Sequence, residues 1–228
     1  MRALIFDVDG TLAETEELHR RAFNEAFAAA GLPWVWDRDR YRTLLATTGG
    51  KERIARFIAD DGLVGALDIP ALHADKTARY TALMAAGAIE ARPGIRDLID
   101  AAREAGLGIA VATTTSRPNV EALSLALFGQ PAGAVFDVIA AGDEVAAKKP
   151  APDVYRLALD RLGLTPADAV AFEDSLNGLR SAQGAGLACV VAAGAYTAHE
   201  DLSAADLLVA DLSRVRLSDL AGLLRCPA

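Results

Sequence analysis

Residues 3–11 run Ala3-Leu4-Ile5-Phe6-Asp7-Val8-Asp9-Gly10-Thr11. A short apolar run that ends in acidic residues and a glycine has the pattern of a buried strand opening into a functional loop. Similar runs recur at residues 107–112, 135–139, 169–172 and 188–191. Stretches with helical apolar spacing, at 95–105, 119–127, 153–162 and 176–185, lie between most of them. Pro118, Pro152 and Asp153 stand where such helices would start. Strands alternating with helices predict an α/β fold built on a parallel sheet.

The pattern changes between Glu14 and Ala86. Alanine, leucine and charged residues recur there at helical spacing, as in RRAFNEAFAAA and RIARFIAD, and no convincing strand interrupts them. Residues 14–86 therefore read as an all-helical insert, leaving 1–13 and 87–228 as the sheet domain. Arg92-Pro93-Gly94 is a turn signal that returns the chain to the sheet. An insert starting directly after the first strand is expected to form a lid over the loop of that strand. Residues 129–133 mark a loop, and no internal repeat or low-complexity tract is present.

Composition narrows the function classes. The 228 residues carry a formal net charge of −8, which leaves no electrostatic footprint for nucleic acid or anionic lipid. Hydrophobic residues make up 52% of the chain, yet no stretch approaches the roughly 20 apolar residues of a membrane span. The opening MRALIFDVDG is broken by aspartates and lacks a small-residue cleavage site, so it does not read as a signal peptide. A cytoplasmic, monomeric enzyme acting on a small molecule is expected. Cys189 and Cys226 provide neither a disulfide framework nor zinc spacing and read as a core thiol and a tail thiol.

Asp7 and Asp9 flank Val8 at the end of the first predicted strand, where open α/β sheets bind ligands. Residues two apart on a strand point the same way, so both carboxylates can face one reacting centre, and Gly10 permits a sharp turn. Alone, such a DxDG could equally be a turn. Glu173-Asp174 places a second acidic pair at the end of another predicted strand. Four carboxylates at one sheet edge repel one another, and a bound cation is the simplest relief. Mg²⁺ takes oxygen ligands, so two or three carboxylates plus a substrate phosphate would complete its shell. Thr113, Thr114 and Thr115 follow the strand at 108–112 and can hold phosphate oxygens, although a threonine run there is also ordinary β-favouring composition. Lys149 is either solvated surface or the cation that offsets charge on a transferring phosphoryl group.

DVDGT at 7–11, a threonine after an apolar strand, KPAPD at 149–153 and ED at 173–174 occur in the order of the four haloacid dehalogenase motifs. The chain resembles that superfamily over nearly its whole length, with the insert similar to the family's helical cap of the first type. The resemblance implies a Rossmann-like parallel sheet core with a helical cap inserted after the first strand. DVDGTLAETEELH, TGGKERI, TTTSRPN and KKPAPDVY look, more narrowly, like the CbbY-like branch, close to β-phosphoglucomutase. Glu14 stands where the wider family commonly has aspartate.

What the resemblance implies follows residue by residue. Asp7 is the nucleophile, and Asp9 is the acid/base that protonates the leaving oxygen and then activates water. Thr113 supplies the second-motif hydroxyl with the Thr114 backbone alongside, and Lys149 is the third-motif lysine. Asp174 binds Mg²⁺ with Asp7 and the Asp9 carbonyl, and Glu173 binds it directly or through water. The implied activity is a Mg²⁺-dependent sugar-phosphate phosphatase working through an aspartyl-phosphate, with xylulose 1,5-bisphosphate as substrate. A β-phosphoglucomutase-type phosphomutase is the enzymatic alternative. A receiver-like signalling module uses similar residues but lacks both the insert and the paired DxDGT.

Substrate choice is expected from the cap and the second-motif loop. Thr15 and His19 lie four apart, share one helix face and can point toward the aspartates. His19 has a rival reading as a structural histidine. Gly50, Lys51 and Arg53 form a glycine-rich basic element that could bind a distal phosphate of a bisphosphate, or an ordinary helix start. Thr115, Ser116, Arg117 and Asn119 could complete that distal site. Lys76 matches a cap lysine of related enzymes, while in isolation it reads as a surface charge.

Overall fold

Every side chain of Ala3–Phe6 is buried, as expected of a strand covered on both faces. This strand, β1, lies inside the sheet of a computed structural model that describes residues 1–61, 67–87 and 89–224. Cys226 falls outside those residues. The other strands are β2 (Gly108–Ala112), β3 (Val138–Ala140), β4 (Ala169–Glu173), β5 (Ala188–Ala192) and β6 (Leu207–Val209). All pair in parallel, in the order β3-β2-β1-β4-β5-β6. The chain winds outward from β1 to β3 and then returns to the other side of β1. The winding therefore reverses beside β1, and the tips of β1 and β4 flank the switch point where such sheets bind ligands.

Contacts divide the chain into two units, Met1–Glu14 with Ile89–Ala228, and Thr15–Ala88. The second unit holds α1 (Glu16–Ala29), α2 (Arg38–Leu44), α3 (Gly50–Asp60) and α4 (Ile69–Ala85). On α1 the buried positions His19, Ala22, Phe23, Ala26 and Phe27 follow helical spacing and face α4. Asp37 and Asp68 cap α2 and α4 by accepting the N–H groups of Arg40 and Ala71. Phe23, Phe27, Trp36, Tyr41 and Phe57 form an aromatic core, with the Trp36 ring centroid 4.7 Å from that of Phe23 and 4.8 Å from that of Phe27.

The sheet unit carries α5 (Ile95–Glu104), α6 (Arg117–Phe128), α7 (Ala132–Val135), α8 (Asp153–Leu162), α9 (Leu176–Gly184) and α10 (Leu217–Ala221). Helix α8 packs on β2 and β3, and α9 on β4 and β5. Four elements depart from the expectation, one of them α7, which lies partly in the predicted loop at 129–133. The predicted strand at 135–139 is displaced, because Val135 closes α7 and the strand begins only at Val138. Asp137 divides that apolar run, its Oδ2 accepting the Ile109 N–H at 2.8 Å. Strand β6 and helix α10 were not anticipated, since three and five residues are too short to display a period. Among the described residues, no helix is long and apolar enough to cross a membrane.

Candidate active site

The tips of β1 and β4 bring Asp7, Glu173 and Asp174 together, each offering a carboxylate oxygen within 4.8 Å of the others. Pairing of Phe6 with Phe172 sets the register that aligns the two tips, and the Asp7 N–H donates to the Phe172 carbonyl at 2.9 Å. Asp9 is half-buried and lies outside this carboxylate trio. Its place in a metal shell would fall to its carbonyl, as the sequence resemblance implied. Gly10 follows with φ +86°, and a Cβ there would fall on the Asp174 carboxylate, so glycine is required twice over.

The trio offers only hard oxygen donors, and Glu173 Oε2 is buried with no protein partner. Both features fit a Mg²⁺-type cation, which would draw on Asp7, Asp174 and Glu173. Gly178, in the first turns of α9, leaves the room that Glu173 occupies; a Cβ there would fall on its carboxylate.

Lys149 Nζ donates to Asp7 Oδ1 and Glu173 Oε1, each at 2.6 Å, from a fully packed position. Burial pushes Asp7 up to about 7 against the pull of Lys149, with the Glu173 and Asp9 carboxylates adding to the rise. Burial works against the Lys149 ammonium, but the Asp7 and Glu173 carboxylates prevail and raise it. Tyr155 also donates to Glu173 Oε1 at 2.6 Å, and Lys149 lies 5.0 Å from the centre of its ring. Burial, then the Glu173 carboxylate, push the Tyr155 phenol well up, which keeps it a donor. Burial likewise pushes the Cys189 thiol up, as befits an unreactive core residue.

Thr113 follows β2 and is buried, its Oγ1 accepting the Thr115 N–H at 3.1 Å. Gly142 packs its backbone on Thr114, and a Cβ there would fall on the Thr114 carbonyl. Asn119 Nδ2 donates to Thr115 Oγ1 at 2.8 Å. Ser116 Oγ and Asn119 Oδ1 are buried without a protein partner, whereas Arg117 is exposed. Both unmatched atoms sit at the start of α6, where a polar ligand could satisfy them.

In the helical unit, Thr15 is the buried residue ahead of α1, and the His19 N–H donates to its carbonyl at 3.0 Å. The His19 ring stacks on Tyr80 at 3.8 Å, and its Nδ1 lies 2.5 Å from Lys76 Nζ. This places the lysine head group within hydrogen-bond distance of the imidazole. Lys76, read in isolation as surface, is buried over the rings of Phe23 and Tyr80. Arg53 lies over the Tyr41 ring and donates to its hydroxyl at 3.0 Å, and Tyr41 in turn donates to Glu16 at 2.7 Å. Lys51 is exposed, so it and Arg53 occupy different faces of α3, as residues two apart on a helix must. Gly50 is half-buried, and a Cβ there would fall on His73.

Tyr155 and Thr197 escaped the sequence reading. Tyr155 carried a usable signal, because the helical period of α8 puts Val154, Tyr155, Ala158 and Leu159 on the buried face. Thr197, whose Oγ1 donates to the Asp174 carbonyl at 2.7 Å, sits in a loop with no motif.

The family model for haloacid dehalogenase-like hydrolases matches residues 1–186. Protein CbbY of Cereibacter sphaeroides is 62% identical over 224 residues, covering 98% of this chain and 96% of that protein. The phosphorylated carbohydrates phosphatase of Thermotoga maritima is 32% identical, with 82% of each chain covered. A solved structure of CbbY from Rhodobacter sphaeroides, a mutant in complex with xylulose-(1,5)bisphosphate, matches with a TM-score of 0.92 and 59% identity. That match covers 96% of this chain and 99% of the other.

Proposed function

The chain belongs to the haloacid dehalogenase-like hydrolases and is a phosphatase of their CbbY-like branch, and from that premise we propose that it converts xylulose 1,5-bisphosphate to xylulose 5-phosphate and phosphate. The observation that carries the substrate is the 59% identity, across 96% of this chain, to a CbbY bound to that bisphosphate.

In this reading Asp7 attacks phosphorus, the bond to the sugar oxygen breaks, and Asp9 hands that oxygen a proton. Asp9 then takes a proton from water as the water attacks the aspartyl-phosphate, releasing phosphate and restoring Asp7. Lys149, 2.6 Å from Asp7, offsets the charge that accumulates during both displacements. Thr113 and the backbone of Thr114 hold the transferring phosphoryl oxygens. A bound Mg²⁺ would neutralise phosphoryl charge and orient the attacked group. The buried, unmatched Ser116 Oγ and Asn119 Oδ1 support a role for the second-motif loop in binding the rest of the substrate. Arg53, Lys76, His19 and Thr15 are assigned to substrate recognition by the helical unit.

The test is phosphate release from xylulose 1,5-bisphosphate, ribulose 1,5-bisphosphate, fructose 1,6-bisphosphate and β-glucose 1-phosphate, with Mg²⁺ and with EDTA. Mg²⁺-dependent preference for the xylulose compound is expected. Conversion of β-glucose 1-phosphate to glucose 6-phosphate without phosphate release would replace the phosphatase with a mutase.

A further inference from the structure

Arg92 enters the sequence reading only as the first residue of a turn. Its side chain is 10% exposed, and its guanidinium gathers three backbone carbonyls. Nη1 donates to the Gly10 carbonyl and, at 2.8 Å, to that of Ala192, while Nη2 donates to that of Ala193 at 2.8 Å. Nε lies 3.5 Å from Glu14 Oε1, and the Arg92 N–H donates to the Leu12 carbonyl at 2.9 Å. One planar fork thus joins the loop after β1 to the loop after β5.

Each loop leads to an acidic residue of the site. The Gly10 N–H donates to the Ala13 carbonyl at 2.9 Å, and in a planar trans peptide the Asp9 carbonyl must point the opposite way. With Arg92 on the Gly10 carbonyl, the peptides on both sides of Gly10 are held, and so is the direction of the Asp9 carbonyl. On the other side, Ala192 and Ala193 run into Gly194, whose N–H donates to Thr197 Oγ1 at 2.8 Å. Thr197 Oγ1 donates to the Asp174 carbonyl at 2.7 Å.

We infer that Arg92 is a positioning residue, stapling the loop of Asp7 and Asp9 to the loop that supports Asp174 and so setting the spacing of the acidic site. It touches neither the reacting atoms nor the carboxylate trio, and it acts through Gly10 and Thr197. The inference rests on the proposed reading of that trio as a Mg²⁺ and phosphoryl-transfer site. Lysine carries the same charge but offers a point donor instead of a fork, so it cannot hold carbonyls of both loops in the same geometry.

The test compares the full chain with Arg92→Lys and Arg92→Met, using Mg²⁺ affinity by calorimetry and kcat and KM on xylulose 1,5-bisphosphate at saturating Mg²⁺. Arg92→Lys is expected to fold, to bind Mg²⁺ about tenfold more weakly, and to lose about tenfold or more in kcat with KM within about threefold. Arg92→Met is expected to exceed those losses. If Arg92→Met does not fold, Arg92→Lys alone decides. A lower melting temperature with Mg²⁺ affinity and kcat within about twofold of the parent would overturn the role and leave Arg92 as a stabilising residue only. The parent chain, assayed in parallel, separates the two failures. Loss of Mg²⁺-dependent phosphate release there defeats the proposed function, whereas an active parent with unaltered variants defeats the positioning role alone.

Discussion

Lys149 in the sheet unit and Lys76 in the helical unit are both nearly inaccessible, 4% and 3% exposed, yet their surroundings differ. Lys149 sits between two carboxylates at 2.6 Å each, with the Tyr155 ring beside it. Lys76 lies 2.5 Å from an imidazole nitrogen and under 5 Å from the centres of two aromatic rings, 4.7 Å for Phe23 and 4.9 Å for Tyr80. Removing an ammonium from water is expensive, and direct ion pairs and aromatic faces repay it by different amounts. At Lys149 the cation and the acidic cluster stabilise each other, so the fold and the proposed chemistry depend on the same bonds. At Lys76 the rings of Phe23 and Tyr80 would also pack against an apolar chain, and ligand recognition by its charge is the role proposed for it.

That contrast is broken first at Lys149. Lys149→Met leaves Asp7 and Glu173 facing each other in a buried site, and should cost about 3 kcal/mol in urea unfolding of the metal-free protein. Turnover should fall by about 10³-fold or more, since charge neutralisation at the reacting group is lost. Stability within about 0.5 kcal/mol of the parent would remove the claimed coupling of fold and chemistry.

Gly178→Ala probes the same carboxylates from outside. Alanine normally favours a helix over glycine by about 1 kcal/mol, but here its Cβ would fall on Glu173. The expected result is net destabilisation of about 1–3 kcal/mol by chemical denaturation, with weaker Mg²⁺ binding. Stabilisation instead would mean that Glu173 is not held where its bonds to Lys149 and Tyr155 put it.

Titration gives a further handle on the sheet unit. Asp7 is pushed up to about 7, and a Mg²⁺ held there would require its ionised form, so protons would compete with the metal below that pH. Calorimetry should find Mg²⁺ affinity weakening by up to about tenfold per pH unit as pH falls from 7 to 5.5. Affinity independent of pH across that window would contradict the raised carboxyl.

The smallest effect on the fold is expected at Lys76. Lys76→Met should lower unfolding free energy by only about 1 kcal/mol, because methionine packs well against aromatic rings although the buried His19 Nδ1 loses the Lys76 ammonium. Its kcat/KM on the bisphosphate should nevertheless fall by about tenfold or more. Equal stability losses in the Lys76 and Lys149 variants would erase the distinction between the two burial environments.

The same two lysines mark how far the sequence could be read. Lys149 was legible because it stands in KPAPD, in order between a threonine-tipped strand and an acidic pair, and the strand runs around it are continuous and apolar. Pairing of β1 with β2 and β4 then follows from burial on both faces. Lys76 was legible only by resemblance, since nothing in its local pattern separates a lysine beneath aromatic rings from one in water. Lys51 and Arg53 illustrate a related limit, for a basic run on a helix is split by the helical turn itself. Asp137 inside an apolar run, and Arg92 and Thr197 in loops, act through backbone carbonyls or N–H groups that only the folded chain brings near. Periodicity carries no record of such contacts.

The most direct test of the account is a rapid acid quench during turnover of xylulose 1,5-bisphosphate with Mg²⁺, followed by peptide mass spectrometry of the parent chain and of Asp7→Asn. The account predicts a phosphoryl group on Asp7 of the parent, and neither adduct nor phosphate release from the variant. Sustained phosphate release by Asp7→Asn, or turnover of the parent with no phosphoryl group on Asp7, would contradict it.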